Sequence, residues 1–514
     1  MLKKVAKNTS IVSFGTGISM FLGFVREILI AYFFGTSALL EAFIVSFRIP
    51  SLFRSIFAEG FSDSVATPVF SEYQLQKKEL FKTGRNLLSL SAAAVIIFTI
   101  IGILGSKFFV LILAPGFVKD PLKFSMAVSF TRITFFYLFF ICLSVNSFSI
   151  LYALKKFFIP AITPVFLNIS FIVGILFFSQ SLRSHILVYC VLVGGFLQTL
   201  FPFLALKREG FSFKPNFRGL FKDKILVRML KLFPPRLISS IVYQLSVMVD
   251  TVFASFSSIV GEGAIAALWF ANRYIHIPLA LFIISICRVV IVDLSFYHSK
   301  KKTDAFNKLF VFSFQNVVFF ITPIAIIYMF LSGPIIEVVL RRGSFSAYSS
   351  GITSSVLFFY SFGLFFFCGI KLLVNSFYAL KDTATPAKVT ATCLVLNVIL
   401  SALLMFPLKI GGVALGSSLA AMVNFFILFR IFEKRVGPID WDDTRSQFIK
   451  VVFISLLTAI IARLLWDHIQ MQKYIKAIIV ASSSFSVFLI GGLFLKLKQI
   501  DYLREHLLAK ISRK

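Results

Sequence analysis

The chain has 514 residues, 58% of them hydrophobic and 67 of them phenylalanine, with a mean hydropathy of +0.92 and a formal net charge of +30. This composition excludes a soluble globular protein and describes one whose solvent is the bilayer. The stretches between apolar runs are short, the longest near 208–224 and 434–446, so no separate catalytic domain fits.

Windows long enough to cross a membrane fall in chain order at 10–34, 38–70, 87–106, 125–154, 160–180, 185–206, 229–257, 263–296, 308–331, 347–379, 384–406, 411–432, 447–466 and 474–495. The predicted fold is therefore an all-α integral membrane protein of about 14 transmembrane helices. The basic start MLKKVAKN leads into the first window with no small-residue cleavage site before Arg26, so that window is expected to be a retained helix. Cys142, Cys190, Cys287, Cys368 and Cys393 lie singly in apolar runs, far from any metal-ligand spacing, and are expected to be packing residues.

Lysine and arginine alternate along these spans: about 34 fall in the termini and the loops on their side, against about 9 in the opposite loops. Both termini are thus expected in the cytoplasm. Charge spread over short loops rather than one face excludes nucleic acid as a partner and fits topogenesis and contact with membrane lipids.

An internal repeat appears at an offset near 226 residues, where LYALKKFFIPAITP at 151–164 aligns with FYALKDTATPAKVT at 377–390, and LGSKFFVLILAPGF at 104–117 with LSGPIIEVVLRRGSF at 331–345. A duplication of this kind predicts two parallel six-helix repeats with the pathway between them. The expected divisions are an N-lobe at 1–208, a cytoplasmic linker at 209–228, a C-lobe at 229–433, and a segment at 434–514 holding a loop, two further helices and a basic tail.

Charges inside the spans point to function, because an arginine at mid-bilayer costs about 2.5–3.5 kcal/mol unless it meets protein, water or an anion. In the first window Gly15, Ser19, Gly23 and Arg26 follow at helical spacing, giving a small polar face that leads to one cation beside Glu27. Such a face serves close helix packing or, with Arg26 on it, lines a cavity. In the second window Glu41 and Arg48 share a face and are candidates for an internal pair, whereas Arg54 points elsewhere beyond Pro50, which is expected to kink the helix. Glu59 or Glu27 is the alternative partner to an external anion for Arg54. In the C-terminal half WFANRYIHIP supplies Asn272, Arg273 and His276, with Arg288 farther on. Arginines offer planar forks matched to phosphate oxygens, so a cluster of them suits a diphosphate. Asp250 with Asn375 or Asp382 is a candidate site for a coupling cation, and DWDD at 440–443 is a candidate magnesium–diphosphate cluster set among Lys434, Arg435 and Arg445.

LGFVREILIAYFFG at 22–35, EAFIVSFRIPSLFRSIFAEGF at 41–61, APGF at 114–117, IPAITPVFLNIS at 159–170, LSGP at 331–334, FYALKDTATP at 377–386 and PLKIGGVALGSSLAA at 407–421 together resemble the MurJ (MviN) lipid II flippases of the multidrug/oligosaccharidyl-lipid/polysaccharide exporter superfamily. The resemblance spans essentially the whole chain. It implies fourteen spans, a V-shaped pair of lobes around a cationic cavity, and delivery of undecaprenyl-diphosphate-linked peptidoglycan precursor, lipid II, to the outer leaflet by alternating access. It implies a bacterial inner-membrane location, the peptidoglycan synthesis machinery as a partner, a monomer, and no catalysis or resident cofactor. By motif position Arg26, Arg54 and Arg273 fall on the family's functional arginines, Glu27 and Glu41 on positions that usually carry aspartate, and the last two windows on a groove for the lipid tail. Met20 stands where many members have an arginine and His276 where an acid is common, while CRVVIVD at 287–293 replaces a glycine-containing stretch.

The expected mechanism has Arg26, Arg54 and Arg273 grip the diphosphate, with Glu27, Glu41, Arg48, Ser19 and Asn272 around them, and a cation such as Na+ or H+, or the membrane potential, resetting the carrier. The alternatives are a drug or cation antiporter or another polyprenyl-linked oligosaccharide exporter of the same superfamily, or an enzyme acting on polyprenyl diphosphates through Asp442 and Asp443.

Overall fold

The computed structural model describes residues 2–55, 60–179, 182, 184–217, 220–233, 244–245 and 247–502, and every regular element among them is helical. That follows from the solvent, since in hydrocarbon each backbone N–H and C=O must find its partner within the segment. Eleven of the described helices are long and apolar enough to cross a membrane.

The differences from the fourteen expected windows have local causes. The window at 229–257 lies in part outside the described residues. The window at 38–70 is interrupted: helix α2 (Ala38–Phe53) gives way to π-helical turns, one of them Ser62–Ala66, before the short α3 (Thr67–Glu72). Pro50 inside α2 cannot bond the Ser46 carbonyl four residues back, and Thr134 Oγ1 donates to that carbonyl instead at 3.0 Å. The windows at 384–406 and 411–432 fall within one 53-residue run, Ala384–Val436, which as a straight helix would rise about 80 Å, far more than a bilayer core of about 30 Å. The run folds back at Lys409 (φ 54°, ψ −134°): Ser417 Oγ reaches Asn397 Oδ1 at 3.2 Å, although the two are twenty positions apart. Gly412 makes the reversal possible, because a Cβ there would collide with the Leu404 carbonyl.

The chain divides into two compact units, Met1–Ser257 with Arg342–Phe345, and Ser258–Arg341 with Ser346–Lys514. The first holds α1 (Leu2–Phe34), α2, α3, α4 (Lys77–Leu104), α5 (Ser106–Leu113), α6 (Pro121–Ala153), α7 (Phe158–Phe178), α8 (Ile186–Arg208) and α9 (Lys224–Leu232). α6 is its most buried helix, packed by α2, α4 and α8. The connection after α8 belongs to this unit. Phe211, Leu220, Leu226 and Met229 join an apolar cluster with Leu80, Leu87 and Ile150, and Asp223 both caps α9 and accepts from Asn86 Nδ2 at 2.8 Å. Asn216 completes the staple through Asn86 Oδ1 and Ser89 Oγ. The unit extends to Ser257 because Arg48 Nη1 of α2 bonds the Val247 carbonyl and Thr251 Oγ1.

The second unit holds α10 (Ala264–Pro278), α11 (Ile284–Ser299), α12 (Thr303–Val339), α13 (Ala347–Ala379), the folded-back α14 (Ala384–Val436), α15 (Asp442–His468) and α16 (Lys473–Phe494). DWDD anchors the last two helices here. Trp441 packs on Phe310, Phe314 and Phe429 and donates to Glu433 at 3.0 Å, while Asp443 accepts from Gln315 and pairs with Lys498, both at 2.8 Å.

The repeat is visible in helix ends. YALK closes α6 at Lys155 and α13 at Lys381, each lysine in the left-handed region (φ 58° and 61°), and each followed by an amide that bonds back across the last turn. One residue farther on, Lys156 pairs with Glu209 at 2.7 Å and Asp382 with Arg435 at 2.5 Å. Both partners obey the 226-residue offset, since 382 − 156 and 435 − 209 each give 226, yet the charges are exchanged.

Candidate charged sites in the two units

In the first unit the small face of α1 meets α7. A Cβ on Gly15 would stand 3.2 Å from the Ala161 backbone, so the helices touch there nearly main chain to main chain. One and three turns along, the same face meets Asn168: its Nδ2 donates to the Ser19 carbonyl at 2.9 Å, and its Oδ1 accepts from Arg26 Nη1 at 3.0 Å. Arg26 Nη2 bonds Glu27 Oε1 at 2.6 Å, and the guanidinium lies over the Phe171 ring with 5.3 Å to the centroid. The predicted Ser19, Arg26 and Glu27 therefore form one network whose organiser, Asn168, is a residue that sequence reading did not single out. Its signal was available as a lone amide in an otherwise apolar run, FIPAITPVFLNISFIVGILFF.

Chemically the network is a held cation. Glu27 is 6% exposed and compensates Arg26, so neither charge stands alone in a low dielectric. Arg26 Nε remains, buried and without a hydrogen-bond partner among the described residues. Donors of a guanidinium form a fixed fork, and a tetrahedral phosphate meets such a fork with two oxygens.

On α2 Glu41 bonds Lys123 at the start of α6, a cation that spacing along α2 could not name. Lys123 also stands over the Phe117 ring at 4.4 Å, and both members of the pair are buried, 1% and 5% exposed. Arg48 is half-buried and turned to Val247 and Thr251. Arg54, half-buried, caps the C-terminus of α2 with its amide bonding Pro50 and Ser51. Glu59, one of its expected neighbours, lies outside the described residues.

In the second unit Arg273 is exposed on α10 and stacks over Trp269 at 4.7 Å, one turn back, with Asn272 half-buried beside it and His276 exposed one turn on. The cation-site candidates have other engagements. Asn375 Nδ2 donates to the Lys371 carbonyl; Asp382 accepts from the amides of Ala384 and Thr385 and pairs with Arg435. Asp250 sits half-buried in the helical residues 247–254 of the first unit. Among the described residues no group of three or more His, Cys, Asp or Glu gathers as a metal site. DWDD likewise serves as an anchor: Asp440 bonds the Asp442 amide and Asp443 is held by Gln315 and Lys498.

A family model described as lipid II flippase MurJ matches residues 30–485. A probable lipid II flippase MurJ of Buchnera aphidicola subsp. Acyrthosiphon pisum is 33% identical over 469 residues, 90% of each chain. One from Vibrio cholerae serotype O1 is 32% identical over 441 residues, 83% of each. Among solved structures, a lipid II flippase MurJ in an inward closed conformation matches with a TM-score of 0.79 at 26% identity, covering 94% of this chain and 98% of that one. An inward-facing multidrug resistance MATE family transporter matches at a TM-score of 0.66 and 14% identity, covering 81% of this chain and 94% of that one, a likeness of fold alone.

Proposed function

We infer the function of this chain from one premise: it belongs to the lipid II flippase MurJ family. It carries lipid II, the undecaprenyl-diphosphate-linked peptidoglycan precursor, from the inner to the outer leaflet of the bacterial inner membrane by alternating access, with both termini in the cytoplasm. It acts as a carrier, and no bond of the cargo is broken.

The observation that carries the cargo's chemistry is Arg26 held by Glu27 and Asn168 with Nε left over. Glu27 is the resident counter-ion. A diphosphate displaces it from the guanidinium, and Glu27 returns when the cargo leaves, so the buried cation is compensated at every stage. By motif position Arg54 of the first unit and Arg273 of the second are the further arginines that engage the cargo. A charge crossing the full field is worth about 2.3 kcal/mol per 100 mV, so a cargo-free carrier with net positive charge is driven back by the membrane potential. A cation antiporter would instead need acids free to receive its substrate, whereas Glu27 and Glu41 are each bonded to a cation.

The test is leaflet-resolved accessibility of lipid II in cells depleted of this protein and rescued with wild type, Arg26→Ala, Arg54→Ala or Arg273→Ala. Wild type is expected to restore outward delivery and the three variants to fail. Full rescue by all three sinks the arginine mechanism; unchanged delivery on depletion, in cells without a second flippase, sinks the transport assignment.

A further inference from the structure

Helix α9 sits in the connection that follows α8, and its two faces differ in kind. Leu226 and Met229 are fully buried in the apolar cluster of the first unit. The opposite side presents Lys224, Arg228 and Lys231, which with Val227 and Leu232 line a shallow cavity of about 330 Å³. All three cations are exposed, and Leu232 stands 45% exposed at the end of the row.

This surface is built rather than incidental. Asp223 caps the helix through the amides of Ile225 and Leu226 and is itself fixed by Asn86 of α4. Arg228 is locked by a two-point contact with Glu72, at 2.6 and 3.1 Å, which neutralises the middle of the row. Lys224 and Lys231 remain, seven residues or about 10.5 Å apart along the axis, and neither is in an ion pair among the described residues. Cations that bind one diphosphate must converge on a point. Cations spaced along a fixed helix, with an apolar tip beside them and their helix packed on the basic end of a membrane span, instead match a plane of negative headgroups.

We propose that the Lys224–Lys231 edge of α9 is a binding site for anionic phospholipid headgroups of the cytoplasmic leaflet, with Leu232 entering the boundary between headgroups and acyl chains. The location rests on the cytoplasmic placement of the α8–α9 connection; the ligand chemistry stands independently of the cargo.

The experiment titrates full-length, detergent-solubilised protein with short-chain phosphatidylglycerol, phosphatidylcholine or inorganic pyrophosphate and reads bound ligand by native mass spectrometry. Removing two lysines worth about 1 kcal/mol each at a lipid surface is expected to weaken the tightest phosphatidylglycerol adduct about thirtyfold in Lys224→Gln/Lys231→Gln. Phosphatidylcholine binding and thermal unfolding should not change, and Lys224→Arg/Lys231→Arg should recover the affinity. Unaltered phosphatidylglycerol binding in the glutamine variant overturns the proposal, and so does its displacement by equimolar pyrophosphate, the mark of a convergent anion site. Should the glutamine variant fail to fold, salt titration of wild type decides: affinity falling with ionic strength supports the site and salt-independent affinity overturns it. None of these readings depends on lipid II transport, so they stand or fall apart from the flippase assignment.

Discussion

At the residue scale, the cost of placing charge in hydrocarbon explains which side chains surround each cation. Arg26 has a carboxylate on one nitrogen and an amide oxygen on another. Replacing Asn168 with leucine keeps the branched outline of the side chain and removes both the acceptor and the donor, which leaves Arg26 Nη1 and the Ser19 carbonyl to find other partners at about 1–3 kcal/mol each. Asn168→Leu should therefore retain a folded protein in the membrane but lower lipid II delivery at least tenfold, checked by the leaflet assay and by heat-induced unfolding. Glu27→Gln tests the counter-ion role. With the competing carboxylate gone, cargo should bind more tightly and leave more slowly, so half-saturation falls together with the maximal rate; a rise in both would remove Glu27 from that role. The pair Lys123–Glu41 makes a different prediction. Breaking one side of a buried ion pair costs about 3–5 kcal/mol, while replacing both sides by apolar groups is often neutral. Lys123→Met alone should lower the unfolding temperature in detergent markedly, and Glu41→Leu/Lys123→Met should recover most of it.

At the scale of the element, helices were legible from hydrophobic run length and their ends were not. The windows at 384–406 and 411–432 correspond to the two arms of α14 because Pro407, Gly411 and Gly412 interrupt the apolar run where the chain turns back at Lys409. In the window at 38–70 Pro50 marked an expected kink, yet α2 continues through it and the interruption comes only after Phe53. Pro50 is tolerated when another helix supplies a donor, and Thr134 is 88 positions from Ser46. The same separation hid Asn168 and Lys123, which lie 142 and 82 positions from their partners. Spacing along one helix names neighbours on that helix and cannot name those across an interface. Repeat motifs were legible as text, but their conformation was not: all five non-glycine residues with positive φ among the described residues are lysines, where glycine is the usual choice. Left-handed backbone costs a non-glycine residue roughly 1–2 kcal/mol. Lys155→Gly and Lys381→Gly should each slow thermal unfolding, with a net gain of about 0.5–1 kcal/mol after glycine's larger loss of chain entropy.

Across the whole molecule, the duplication repeats a position and exchanges its chemistry. In the first unit Lys156, one step past YALK, holds Glu209 at the end of α8; in the second, Asp382 holds Arg435 at the end of α14. Each pair clips the start of one helix connection to the end of the second apolar stretch that follows it, and the exchanged signs mean that the partner used in one unit has the wrong charge for the equivalent position of the other. Partly exposed pairs of this kind contribute only about 0.2–1 kcal/mol each, so the effect is read in a cycle rather than a single variant. Lys156→Glu and Glu209→Lys should each destabilise, and the double reversal should recover only part of the loss, because Glu209 also pairs with Lys77 at 3.7 Å and that contact is not restored. The pH dependence has one sign for both clips. The Lys156 hydrogen bond holds the Glu209 carboxyl below its ordinary range; burial alone would raise Asp382, but bonds from Thr385 and the Arg435 charge bring it down. Each carboxylate thus has a lower pKa folded than unfolded. The stability it supplies is complete above the unfolded values of about 3.9–4.3 and is lost as pH falls through the lowered folded values. Thermal unfolding in detergent should be insensitive to Lys156→Gln/Asp382→Asn at low enough pH to protonate both acids in the folded protein. At neutral pH the same double variant should unfold at a lower temperature than wild type. A difference that persists unchanged on acidification would show that these positions act through packing and not through charge.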